Sequence, residues 1–157
     1  PLGVQAEMVQ LYDTALMEMS RLFLPCMRQR QRGGIINVAS RAAFQPVPYM
    51  AVYAATKAFV LSFSQALAEE VASNNVMVLA LCPGATATDF WTVAGAWQER
   101  QNRMQSPEQV VEVGLRAFER GRSWATSGFA YSLVALAARL GPRRLVTRVA
   151  GSAFKGC

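Results

Sequence analysis

The sequence has 157 residues, of which 52% are hydrophobic and 17% charged, and this balance is typical of one globular domain rather than of a disordered or fibrous chain. It contains no histidine, which excludes a Ser-His-Asp mechanism and every metal site built on imidazole. The cysteines Cys26, Cys82 and Cys157 are far apart and odd in number, so we expect a reduced, cytoplasmic protein without disulfides or a thiolate metal site.

The net charge of +6 is concentrated in residues 28–32 and 143–155. No aromatic residue lies within the first cluster to stack on bases, so we interpret it as a solvated helix end and expect no nucleic-acid partner. The second cluster belongs to a basic amphipathic pattern, residues 143–154, which predicts a closing helix. A peripheral contact with a membrane is the alternative interpretation of that helix.

The first predicted element is an amphipathic helix over residues 5–30, since apolar side chains recur there at helical spacing. Gly33 and Gly34 then predict a turn, and the β-branched run at residues 35–39 predicts a buried parallel strand. Ser40 follows at the carboxyl end of that strand, where ligands gather in open α/β sheets. A serine in this place can also simply bond its own backbone.

A long helix is predicted from Tyr53 to about residue 73, and Lys57 lies one turn after Tyr53. The spacing places phenol and ammonium on one helix face, where we expect the positive charge to lower the pKa of Tyr53 so that it can transfer a proton near neutral pH. An ordinary surface pair is the alternative. Ser40 precedes Tyr53 by thirteen residues, close enough for the intervening loop to bring both hydroxyls to one substrate oxygen.

The apolar run at residues 76–81 predicts a second parallel strand, so that strand, helix and strand form one βαβ unit. Pro83 and Gly84 follow it, and Thr86 and Thr88 offer hydroxyls beside a glycine that lets a ligand approach the backbone. Further on, Ser106-Pro107 predicts the start of a helix that ends at Gly121, and residues 123–127 predict a last short strand.

Taken together, the first strand, Ser40, the Tyr53-x-x-x-Lys57 pair, the second strand and Pro83-Gly84 resemble the catalytic block of the short-chain dehydrogenase/reductase family. The resemblance implies an α/β, Rossmann-like, doubly wound parallel sheet. It also implies reversible hydride transfer between NAD or NADP and a carbonyl or alcohol substrate, which makes the protein an oxidoreductase.

The resemblance also implies a role for each site residue. Tyr53 would be the general acid/base, Lys57 would lower its pKa and hold the cofactor ribose, and Ser40 would position the substrate oxygen. The segment at Pro83, Gly84, Thr86 and Thr88 would meet the nicotinamide and the pyrophosphate. Trp91 and Trp97 fall in the family's substrate-covering loop and favour an apolar substrate.

The sequence departs from the family pattern in two places. No glycine-rich phosphate-binding turn occurs in these 157 residues, and Tyr12 stands where the family has an asparagine that holds a water of the proton relay. We therefore expect residues 1–157 to form a single domain, the carboxyl-terminal part of a truncated family domain, with about three strands retained and no activity alone.

An incomplete sheet of this kind exposes the edge of its first strand, and exposed edges pair with other chains. Together with the first helix and the Tyr53 helix, which match the family's dimer helices, this predicts a homo-oligomer. The alternative function is a non-catalytic interaction or dimerisation module that has lost cofactor binding.

Overall fold

A computed structural model of the protein describes residues 2–90, 104–127, 138 and 140–152. Within these residues one helical stretch that contains a π-helical turn comes first, and three strands and three further α-helices follow. In chain order the elements are α1 (Leu2–Val9), the π turn (Gln10–Ala15), α2 (Leu16–Gln29), β1 (Gly33–Val38), α3 (Ala51–Val71), β2 (Val76–Cys82), α4 (Pro107–Glu119), β3 (Trp124–Thr126) and α5 (Arg143–Ser152).

The three strands form one parallel sheet in the order β1, β2, β3. Gly33 pairs with Val76 and the register continues to Val38 and Leu81, while Ala80 pairs with Trp124. Helix α3 connects β1 to β2, as a parallel pair requires. The predicted α/β architecture with about three parallel strands is therefore confirmed.

Strand β2 is the centre of the molecule, because all of its residues except Met77 are buried. Helices α2 and α3 cover one face, where Leu24, Leu67 and Val71 pack against the strand. Helix α4 covers the other face. Between β1 and α3, the Asn37 side chain donates a buried hydrogen bond of 2.9 Å to the Ser64 hydroxyl. This bond connects the first strand of the sheet to the helix.

The predicted turn at Gly33 and Gly34 is wrong, since both residues belong to β1. They serve close packing instead. A Cβ on Gly33 would lie 2.5 Å from Cγ of Met27 in α2, and a Cβ on Gly34 would collide with the ring of Phe118 in α4. The helices on both faces approach the strand at its first two residues because no side chain stands there.

The predicted first helix runs through Pro25 and is widened by the π turn before α2. Helix α5 matches the basic pattern near the carboxyl end. It exposes Leu145 and Val149 and packs closely on Pro48 through Gly151. Contact of this helix with a membrane stays a prediction. None of the helices in the described ranges has the length and apolarity that crossing a bilayer requires.

Candidate active site

The candidate site lies at the carboxyl ends of β1 and β2. The Ala39 N–H donates to the Leu81 carbonyl at 2.7 Å, and the Arg41 N–H donates to the Pro83 carbonyl at 2.9 Å. The two loops that leave the sheet are therefore held side by side. Residues far apart in sequence meet at this edge because the strands are parallel.

Ser40 occupies the extended position between β1 and a short 3-10 turn, Arg41–Phe44. Its hydroxyl oxygen accepts a hydrogen bond of 3.1 Å from the Ala42 N–H, so the backbone interaction considered from the sequence is present. This bond uses an acceptor site and leaves the hydroxyl proton available. The same hydroxyl interacts with the Tyr53 phenol by a hydrogen bond that favours the phenolate. Ser40 thus makes both contacts, the hydrogen bond with the backbone and the contact with the Tyr53 phenol.

Tyr53 lies in the first turn of α3, and two aromatic rings surround it. Its ring centroid is 6.3 Å from that of Tyr12, edge-on, and 5.3 Å from that of Phe90. Burial raises the pKa of Tyr53, and the hydrogen bond from Ser40 opposes that rise only in part. The predicted lowering of this pKa is therefore not what the structure gives. Desolvation dominates, and a buried phenol keeps its proton.

The ammonium of Lys57 contacts a backbone carbonyl and the Tyr12 ring, and its charge is not among the main influences on the pKa of Tyr53. Nζ donates a hydrogen bond of 3.0 Å to the Val38 carbonyl and lies 3.9 Å above the centroid of the Tyr12 ring, but 5.8 Å from that of Tyr53. The residue is only 7% exposed. Burial lowers the pKa of Lys57 to about 8, against the opposing influence of Asp13 and Cys82.

The loop after β2 forms the opposite wall of the site. The Gly84 N–H donates to the Ser127 hydroxyl at 3.3 Å, the Ala87 N–H donates to the Gln105 carbonyl at 2.9 Å, and the Gln105 N–H donates to the Ala85 carbonyl at 2.9 Å. Thr86 donates to the Gly84 carbonyl at 3.2 Å within the loop. Thr88 is exposed at its end. The loop is therefore fixed by the segments around Gln105 and Ser127.

Between these two walls lies a cavity of about 420 Å³. All seven predicted site residues line it, which are Ser40, Tyr53, Lys57, Pro83, Gly84, Thr86 and Thr88. The rest of the lining is largely apolar and includes Val47, Met50 and Val110. Within the described residues no group of three or more acidic or cysteine side chains could hold a metal ion. Trp91 and Trp97, predicted to cover the substrate, lie outside the described residues.

The family model described as short chain dehydrogenase matches residues 5–99, a segment that contains Ser40, Tyr53, Lys57 and the loop after β2. The chain belongs to the short-chain dehydrogenase family. Its three parallel strands are part of the Rossmann-type sheet of that family.

Two curated relatives and one solved structure illustrate the similarity. The chain is 32% identical over 145 residues to the very-long-chain 3-oxoacyl-CoA reductase of Bos taurus, covering 92% of this chain and 45% of that protein. It is 41% identical over 75 residues to the 17-beta-hydroxysteroid dehydrogenase type 3 of Homo sapiens, covering 48% and 24%. A short-chain dehydrogenase from Sphingobium yanoikuyae in complex with NADPH superposes with a TM-score of 0.73 at 32% identity, covering 82% and 51%. The chain thus spans less than half the length of these curated relatives.

Sequence reasoning missed two parts of this short-chain dehydrogenase site. One is Asp13, which follows Tyr12 in the π turn and acts on Lys57 through its charge. The other is the pair Gln105 and Ser127, which fixes the loop after β2. Ser127 directly follows β3, so its place at a strand's carboxyl end was a signal that could have found it. Nothing in the sequence marks the π turn.

Proposed function

We propose that the chain provides the catalytic half of an oxidoreductase that transfers hydride between a nicotinamide cofactor and a carbonyl or alcohol substrate. The observation that supports the proposal is the convergence of Ser40, Tyr53 and Lys57 on one cavity whose opposite wall is the loop at residues 83–88. Three hydrogen-bonding side chains separated by up to seventeen positions meet around one space of ligand size.

Tyr53 is the proton donor to the substrate oxygen. Because burial raises its pKa, the phenol is protonated at neutral pH and suited to give a proton to the oxygen of a carbonyl that is being reduced. The hydrogen bond from Ser40 stabilises the phenolate that remains, so the proton can leave. Ser40 also faces the cavity, where its hydroxyl can polarise the same oxygen.

The residues present fit the nicotinamide and ribose end of a dinucleotide. The cavity of about 420 Å³ accepts a planar ring with its sugar, and the Lys57 ammonium, which has three donors, gives one to Val38. When bound, the nicotinamide supplies or accepts the hydride. Lys57 would hold the ribose hydroxyls, and the backbone and hydroxyls of Pro83, Gly84, Thr86 and Thr88 would meet the carboxamide and the pyrophosphate.

An apolar ketone or its alcohol is the proposed substrate class. The lining beside Tyr53 is mainly aliphatic, with Val47 and Met50 on the loop before α3 and Val110 and Val111 on α4. Such a wall excludes water and binds hydrocarbon. The relatives' names denote a ketone on a very long acyl chain, for the 3-oxoacyl-CoA reductase, and an alcohol on a steroid, for the hydroxysteroid dehydrogenase.

The test measures binding of reduced nicotinamide mononucleotide, the half of the cofactor that these residues would hold, through the fluorescence of the nucleotide. We expect saturable binding in the millimolar range that NADPH displaces. Lys57→Met should weaken it about tenfold, because a hydrogen bond from a charged donor is lost. Tyr49→Phe, a change at an exposed residue outside the cavity, is the control and should bind like the parent.

Ketone reduction is the second readout, with the same nucleotide at high protein concentration. Wherever turnover is measured, Tyr53→Phe should lower it by about 100-fold or more while leaving nucleotide binding intact, because the proton donor is gone. Tyr49→Phe should retain it. Equal turnover by the parent and Tyr53→Phe would refute the role proposed for Tyr53.

A non-catalytic interaction module is the second candidate. The observation that favours it is Tyr12, which stands where the family resemblance implies an asparagine that holds a relay water and whose ring centroid lies 3.9 Å from Nζ of Lys57. Absence of any nucleotide binding at millimolar concentrations, in a folded chain that associates with itself or another protein, would support the module over the enzyme.

A further inference from the structure

The π turn places the Tyr12 ring against the ammonium of Lys57, and Asp13 is the next residue of the same turn. Tyr12 lies beneath Nζ of Lys57 with its ring, and the next residue, Asp13, acts on the same group through its charge. In a regular α-helix consecutive side chains diverge by about 100° around the axis. A π turn adds one residue to a helical turn, and such insertions are often found at functional sites. The widened turn packs against α3, which holds Lys57.

Asp13 has a carboxylate oxygen that the fold leaves without a donor. Its Oδ1 is sealed from solvent, and within the described parts of the chain no group donates a hydrogen bond to it. Burial without a partner destabilises a carboxylate, and such groups in native proteins require an explanation. The cation that acts on Asp13 is Lys57, whose charge partly offsets the rise in the pKa of the carboxyl that burial produces.

Lys57 is itself a buried charge, and most of the groups around its ammonium belong to other elements than α3. The groups that face it are the Val38 carbonyl from β1, the Cys82 thiol from β2, the phenols of Tyr12 and Tyr53, and the Asp13 carboxylate. The carbonyl accepts one hydrogen bond and the Tyr12 ring offers its negative face. Among these groups Asp13 is the carboxylic acid.

We propose that Asp13 is a positioning residue for Lys57: its carboxylate supplies the counter-charge of the buried ammonium, and the Tyr12 ring covers the ammonium from the same π turn. This proposal rests on the role given above to Lys57 in holding the ribose. The Tyr12 ring fixes the ammonium at the cavity wall by contact. Asp13 acts on it through its charge, since no direct ion pair joins the two side chains among the described residues.

The sequence makes the test unusually direct, because Lys57 and Lys155 are its two lysines and Asp13 and Asp89 its two aspartates. Labelling lysine with ¹³C at Cε and aspartate at Cγ gives two NMR signals of each kind. Lys155→Arg and Asp89→Asn assign them. The full chain is then titrated with neither nucleotide nor substrate present.

We expect Asp13→Asn to lower the pKa of Lys57 below its parent value of about 8, because the opposing charge of Asp13 is removed. Asp89→Asn, which removes the same charge at an exposed residue, should leave that value unchanged. Asp13→Glu should restore most of the parent pKa. In Lys57→Met the pKa of the Asp13 carboxyl should rise, as reciprocal coupling requires.

The proposal is overturned if Asp13→Asn and Asp89→Asn give Lys57 the same pKa. Should Asp13→Asn fail to fold, the Asp13 signal in Lys57→Met decides, and a carboxyl pKa equal to that of the parent overturns the proposal equally. The parent alone gives a third readout, because the Lys57 signal must shift as Asp13 ionises. The titration involves no cofactor, so failure to bind nicotinamide mononucleotide would refute the proposed function and leave this coupling measurable.

Discussion

Lys57 is a charged group buried almost completely, and its titration should appear in the stability of the fold. Its pKa is lowered from 10.5 to about 8, so the unfolded chain binds more protons than the folded chain between these two values. The contribution of Lys57 to the free energy of unfolding is therefore lost as pH falls from 10.5 to 8 and amounts to about 3 kcal/mol over the whole interval. Burial of this ammonium therefore lowers the free energy of unfolding at neutral pH.

The measurable part of this effect lies between pH 8 and pH 9. Cys82, whose pKa burial raises from 9.0 to about 12, removes stability only as pH rises above 9, and Tyr53, whose pKa is raised from 10.0, does so only above 10. We expect the free energy of unfolding in urea to increase by about 1 kcal/mol from pH 8 to pH 9. Lys57→Met should abolish the increase and Lys155→Met should retain it. The same increase in both variants would contradict the assignment to Lys57.

The sequence predicts which residues form the candidate site better than it predicts what surrounds their side chains. Ser40, Tyr53 and Lys57 could be chosen because their spacing relative to a strand and a helix is readable, and the fold brings all three to one cavity. The sign of the pKa shift of Tyr53 could not be predicted. It depends on burial of the phenol, against which the rings of Tyr12 and Phe90 pack, and this burial follows from tertiary contacts.

Among the elements, helix α4 has the clearest local start. The Ser106 hydroxyl accepts from the Gln109 N–H at 3.3 Å, and the Gln109 side chain accepts from the Ser106 N–H at 3.0 Å, which completes a capping box. We expect Ser106→Ala to lower the free energy of unfolding by about 1 kcal/mol, because the Gln109 N–H in the first turn loses its acceptor.

Urea unfolding at neutral pH measures this effect, and Ser106→Asp is the matched control, because its carboxylate can still cap the helix. The control should stay within a few tenths of a kcal/mol of the parent. Loss of stability of the same size in both variants would show that Ser106 acts through packing rather than as a cap.

The helices and strands show which parts of the fold the local sequence determines and which parts depend on packing. Helix α4 and strand β2 lie within two residues of their predicted bounds, because a cap with proline and a continuous apolar run are local signals. The sequence predicts a turn at Gly33 and Gly34, but both lie in β1, where Met27 and Phe118 occupy the space that side chains would need. The π turn at Gln10–Ala15 has no sequence signature, and the position of Asp13 depends on it.

For the molecule as a whole, the decisive feature is the unequal covering of its sheet. Strand β2 lies between β1 and β3, whereas β1 pairs on one side only among the described strands and exposes Ile36 and Val38. The first helical stretch exposes further apolar side chains, among them Leu11, Met19, Leu22 and Phe23. Two apolar surfaces are thus available for association.

We expect the chain to be a dimer or larger at micromolar concentration, with the edge of β1 as the stronger contact, because a strand edge adds backbone hydrogen bonds to apolar burial. Ile36→Lys should shift the chain toward monomer in sedimentation equilibrium, since lysine on an edge strand opposes pairing. Leu145→Lys, the same kind of change at an exposed residue of α5, should keep the parent mass. A monomer produced by Phe23→Lys and not by Ile36→Lys would place the contact on the first helix instead, and a monomeric parent would contradict self-association through either surface.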